Sequence, residues 1–99
     1  MNIKRKNRGR LEIINDILDV INKSKVIRPT KLMHKSNLSP DLYKEYVNFL
    51  VKDKFVQIDL IKKNNVREYS NISILKRGKD YLNDYKNIKE FLIKYGLEV

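Results

Sequence analysis

The sequence contains no cysteine and no tryptophan, one histidine, three glycines and two prolines in 99 residues. Without cysteine there is no disulfide framework, no thiolate zinc site and no cysteine nucleophile. A lone histidine, His34, leaves no histidine cluster for a metal and no histidine-based catalytic dyad. Long apolar runs are missing too. Stretches such as Phe49–Val51 fall far short of the roughly 18 residues a membrane-spanning helix needs. The charged opening, with Lys4, Arg5, Lys6, Arg8 and Arg10, has no apolar segment behind it, which argues against a secretory signal. The expected compartment is the cytoplasm, with no membrane partner.

Acids are also scarce. Lys and Arg number 22 against 12 Asp and Glu, a formal net charge of +10. That balance favours a polyanionic partner, nucleic acid first and an anionic membrane surface second. A hydrophobic content of 41% is too high for a disordered basic tail, and the length suits one domain with one modest core. Rossmann enzymes and α/β barrels are larger.

The few breakers punctuate the chain. Apolar residues at Leu11, Ile14, Ile17, Leu18 and Ile21 follow helical spacing and predict a first helix over about 8–22. Val26-Ile27-Arg28 before Pro29 suits a short strand, because the residue before proline prefers extended backbone. Pro29 then suits the first turn of a short helix over about 29–36. Ser39 is a good N-cap and Pro40 a good first helical residue. Tyr43, Tyr46, Val47 and Leu50 carry that helix to about Asp53. Periodicity then shifts to strands over about 55–61 and 66–74, joined by a turn at Lys62-Lys63-Asn64-Asn65. A last helix follows over about 76–95, with Gly96 as its stop. The fold class expected is mainly α with a small β-hairpin.

A short helix, a tight turn and a longer helix form a helix-turn-helix, whose second helix fits the major groove of DNA. The polar side of the helix at about 39–53 offers Asp41, Lys44, Glu45, Asn48 and Lys52. Lys44 suits guanine or phosphate, and Asn48 carries the donor–acceptor pair adenine needs. Asn37, Ser39 and Pro40 sit where the helix start would meet the groove. Lys44 and Asn48 equally suit an ordinary solvated face. Between Val20 and Pro40 there is no acid, whereas Lys23, Lys25, Arg28, Lys31 and Lys35 supply positive charge, with His34 among them. Such a run suits contacts to phosphates. The hairpin tip adds Lys62, Lys63, Asn64 and Arg67, which suit a wing over about 61–67 or the protection of an edge strand. Arg8 and Arg10 end a basic arm over residues 1–10, which suits contacts to the minor groove or phosphates, or else a disordered solubilising tail. Asp16 and Asp19 lie near one side of the first helix without a nucleophile or metal set, so they read as surface charge. No motif points to an enzyme, and no cofactor, metal or small-molecule effector is expected.

The final helix carries Tyr81, Tyr85, Ile88, Leu92 and Tyr95 at spacings of 4, 3, 4 and 3, a heptad seam. A winged-helix core needs only part of such a helix. The remainder would leave an apolar stripe exposed, and pairing with a second copy covers it. Packing of the seam against the first helix is the alternative to pairing.

Three stretches resemble small archaeal winged helix-turn-helix DNA-binding proteins: residues 8–18, the Thr30–Ser39 segment with Tyr46-Val47-Asn48-Phe49-Leu50, and Tyr69 with Arg77-Gly78-Lys79-Asp80-Tyr81-Leu82. The resemblance spans about 8–95. It implies a winged-helix domain over 11–75, a C-terminal dimerisation helix over 76–99, and a homodimer on double-stranded DNA in an archaeon or its virus. It covers both transcriptional regulators and chromatin-like architectural proteins. A winged-helix protein-interaction module is the third reading. Two departures stand out: Leu75 replaces a usual capping Thr, and Pro40 and Asp41 occupy positions often aromatic and basic.

Overall fold

The computed structural model describes residues 8–63 and 67–98. In chain order the elements are α1 (Arg10–Ser24), β1 (Val26–Ile27), α2 (Pro29–Lys35), α3 (Pro40–Lys52), β2 (Val56–Lys63), β3 (Arg67–Ile74) and α4 (Lys76–Lys94). The strands form one antiparallel sheet in the order β1-β3-β2.

The expected elements are all present, with shifted ends. Helix α1 begins at Arg10 because Gly9, in extended backbone, is its N-cap. It continues through Lys23, which pairs with Asp19 at 3.0 Å one turn back, and stops at Lys25, whose φ is +68°. Helix α4 starts after Leu75 without a side-chain cap. Its start is instead tied to the body by the Leu75 N–H, which donates to the Phe55 carbonyl at 2.9 Å. At the far end Gly96, with φ +68°, closes a Schellman turn. Leu97 N–H reaches Leu92 O at 2.8 Å and Gly96 N–H reaches Ile93 O at 3.1 Å.

The core gathers Ile13, Ile14, Ile17, Leu18 and Ile21 of α1 against Ile27, Leu32, Tyr46, Val47, Leu50, Phe55, Val56 and Ile72. Burying each aliphatic side chain contributes about 1.5–3 kcal/mol. The α1 stripe is rotated from the expected one. Leu11 is 62% exposed, and Ile13 on the other edge of the stripe is buried in its stead.

Helix α4 extends past this core. The radius of gyration is 15.3 Å, above the roughly 13 Å of a compact 100-residue domain. The longest dimension is 56 Å against 31 and 21 Å. Among the described residues no helix is long and apolar enough to cross a membrane.

Candidate nucleic-acid interface

The turn between α2 and α3 is built from backbone outward. Asn37 adopts φ +56°, a left-handed conformation that asparagine tolerates better than most residues. Its N–H donates to His34 O at 3.1 Å, and Leu38 N–H to Met33 O at 3.2 Å. Arg8 clamps the turn from outside. Its guanidinium donates to Ser36 O at 3.1 Å and Asn37 O at 3.0 Å while pairing with Asp16 at 2.7 Å. Arg8, expected to face DNA, is thus occupied within the chain, and it fixes the start of α1 to the turn that aims α3.

Helix α3 opens as its sequence suggests. The Ser39 hydroxyl accepts from Leu42 N–H at 3.4 Å, Pro40 takes the first helical position and Asp41 lies in the first turn. One face buries Tyr46, Val47 and Leu50, with Tyr43 and Phe49 half-buried beside them. Burial pushes the Tyr43 phenol above its ordinary pKa. The opposite face is exposed along Asp41, Lys44, Glu45, Asn48 and Lys52. At 100° per residue these five share an arc of about 100°. Two lysines and two carboxylates cancel, so the stripe has donors and acceptors but no net charge.

The surrounding cations divide into groups. Arg10 lies over the Tyr46 and Phe49 rings, 5.3 and 5.0 Å from their centroids, beside α3. Lys62 and Lys63 are exposed at the end of β2, where Lys62 faces Glu68 across the hairpin. Asn64 lies outside the described residues, as do the Arg67 side chain and residues 1–7 of the basic arm.

Arg28, Lys31, His34 and Lys35 are exposed and converge with Ser24, Val26, Ile27, Thr30 and Asn71 on one cleft of about 770 Å³. Ser24, Thr30 and Asn71 escape a sequence reading. Asn71 joins only through the antiparallel register of β3 with β1, which no local pattern encodes. Among the described residues no three His, Asp or Glu side chains gather closely enough to hold a metal ion.

The seam on α4 is divided. Tyr81 donates its hydroxyl to Leu11 O at 2.6 Å, meets Phe55 edge-on at 6.0 Å and stacks on Tyr85 at 6.0 Å. Burial raises the Tyr85 phenol first, with Glu12 and Asp16 of α1 acting in the same direction and Lys89 against. These two tyrosines therefore pack within the chain. Further along, Ile88 and Tyr95 are 57% and 58% exposed, Leu92 is half-buried, and Phe91 adds a further 56% exposed ring. Lys89 pairs with Glu98, which folds the C-terminal turn back onto the helix and raises the Lys89 pKa through that hydrogen bond.

Comparisons with known proteins place this arrangement. A crystal structure of Sso10a-2, a DNA-binding protein from Sulfolobus solfataricus, superposes with a TM-score of 0.64 at 22% identity, over 90% of each chain. A mutant of ZitR from Lactococcus lactis superposes with a TM-score of 0.61 at 15% identity over 94% of this chain, which spans 63% of that one. At these identities the likeness is one of fold. No curated protein sequence matches the chain. A family model described as winged helix-turn-helix matches residues 7–92. With α2 and α3 as the helix pair and β2–β3 as the wing, the chain belongs to the winged helix-turn-helix family.

Proposed function

We propose that the chain is a homodimeric regulator that binds double-stranded DNA. Helix α3 enters the major groove, and the β2–β3 wing meets the backbone or minor groove beside it. The carrying observation is the division of α3: one face is buried in the core and the other presents Asp41, Lys44, Glu45, Asn48 and Lys52 to solvent. That stripe matches the mixed donor and acceptor edges of bases better than a uniform row of phosphates. The cations that suit phosphates lie to its sides, with Arg10 beside α3 and Lys62 and Lys63 on the wing. The description of Sso10a-2 as a DNA-binding protein supports the same reading. The exposed apolar end of α4 supports pairing with a second copy.

An architectural role with little sequence preference is the second reading, favoured by the net charge of +10 and by the cations that flank the α3 stripe. Selecting bound duplexes from a random pool at physiological salt separates the two. A regulator enriches one motif, and an architectural protein retains most sequences with a specificity ratio near one. Six to ten phosphate contacts give a slope of about −0.9 per contact in log affinity against log salt. Binding that ignores salt, or no binding, overturns both and leaves a protein-interaction module.

A further inference from the structure

The cleft formed by Arg28, Lys31, His34 and Lys35 with Ser24, Thr30 and Asn71 has no lining residue from α3 or from Lys62 and Lys63. It is a recess between the outer side of α2 and the edge of the sheet. Its volume of about 770 Å³ falls within the 300–1,000 Å³ of small-molecule sites.

We infer that this cleft binds a small phosphate-bearing ligand, at a site separate from the DNA surface. The donor set has the chemistry for one. No acid lines the cleft, and no ion pair among the described residues involves Arg28, Lys31, His34 or Lys35. The nearest acid by strand register, Asp59, stands opposite Asn71 and accepts from Gln57 at 3.3 Å. Arg28 is held in place: its guanidinium lies over the Tyr69 ring, 4.1 Å from the centroid. Stacking leaves the edge of the planar fork available to two phosphate oxygens at once. Lys31 and Lys35, one helical turn apart on α2, bring mobile ammonium groups to the same recess. The hydroxyls of Ser24 and Thr30 and the amide of Asn71 add neutral donors. Val26 supplies an exposed apolar wall that suits a non-phosphate part of the ligand.

This inference goes beyond the DNA-binding reading, and its first test uses no DNA. Inorganic pyrophosphate is titrated into the full chain while backbone amide resonances are followed. Saturable shifts confined to Thr30, Lys31, His34, Lys35 and Asn71 support the site. Equal, unsaturable shifts at lysines over the whole surface overturn it, because they report only net charge. Lys31→Ala/Lys35→Ala, at exposed positions, abolishes the saturable response. Tyr69→Ala frees Arg28 and weakens pyrophosphate about two- to five-fold, whereas Tyr69→Phe keeps the ring and the affinity. Equal effects of the two Tyr69 variants count against the stacking argument. Saturating duplex is added last to separate the two sources of phosphate. A cleft that keeps pyrophosphate stands apart from the DNA surface. One that exchanges it for duplex is a backbone-phosphate site, and the inference fails while the DNA reading survives.

Discussion

Tyr81 joins the two long helices: its hydroxyl donates to the carbonyl of Leu11 at 2.6 Å across 70 positions of sequence. Burial, and secondarily the neighbouring Tyr85, push its pKa from 10.0 up to about 12. Below pH 10 folded and unfolded chains both keep this proton. Between pH 10 and 12 the unfolded chain releases it and the folded one retains it, so stability falls as pH rises through that window. Tyr81→Phe costs about 0.5–1.5 kcal/mol at neutral pH, the net worth of one hydrogen bond. The variant also loses stability less steeply above pH 10. Denaturant melts at a series of alkaline pH values, alongside a tyrosinate absorbance titration, test both parts.

Gly78 carries a different joint. A Cβ there would stand 2.5 Å from the Phe55 carbonyl oxygen and 2.7 Å from Ile74 Cγ1. That carbonyl already accepts from Leu75 N–H and cannot shift without breaking the bond. Alanine favours a helix by about 1 kcal/mol over glycine. Overpacking costs about 1–3 kcal/mol here because the obstacle is backbone. Gly78→Ala therefore lowers the melting temperature despite its better helix propensity. A variant at least as stable as the parent would show that α4 sits less tightly on the α3–β2 junction.

On DNA, α3 and the wing divide the work. Asn48→Ala removes a bidentate partner for adenine and relaxes sequence preference at one base pair, by about 1–3 kcal/mol of discrimination. Lys62→Ala/Lys63→Ala weakens all duplexes alike and lowers the salt slope by about 2. Competition binding on matched and mismatched duplexes at several salt concentrations measures both. If Asn48→Ala also behaves as a uniform loss, α3 is not reading bases.

How far sequence alone reaches depends on how local each determinant is. Helix α3 is legible because Ser39, Pro40 and Asp41 carry their capping chemistry at consecutive positions, and its apolar residues repeat within one element. The hairpin is legible because Phe55–Ile61 changes period. Contacts made by tertiary register are not. Arg28 meets Tyr69, and shares a cleft with Asn71, only because β1 pairs with β3 at Ile27 and Ile72, a relation between distant segments. Leu11 and Ile13 are equally apolar, and which of them is buried depends on how α1 is rotated against the sheet. The α4 seam shows its spacing but not where the core ends: Tyr81 and Leu82 pack against the core, whereas Ile88, Phe91 and Tyr95 stay exposed. Arg8 carries no sign in the sequence that it would close on Asp16 and the α2–α3 turn.

The second half of that seam is the last point for experiment. Ile88, Phe91 and Tyr95 lie within one side of α4, and each is more than half exposed. Tyr95 and Phe91 rings touch at 4.9 Å, and the Leu92–Leu97 end is capped by the Gly96 turn, so the surface is formed before any partner arrives. The proposed pairing covers an apolar stripe otherwise left in water, and it has to outweigh the repulsion between two chains of net charge +10. Ile88→Asp/Phe91→Asp changes only exposed positions and so leaves the core intact. Light scattering should give twice the chain mass for the parent and the single chain mass for the variant, with an unchanged far-ultraviolet spectrum. Duplexes with two half-sites lose more affinity in the variant than duplexes with one, because linked binding is gone. A variant that stays dimeric moves the contact to another surface, and a monomeric parent removes α4 pairing from the proposal.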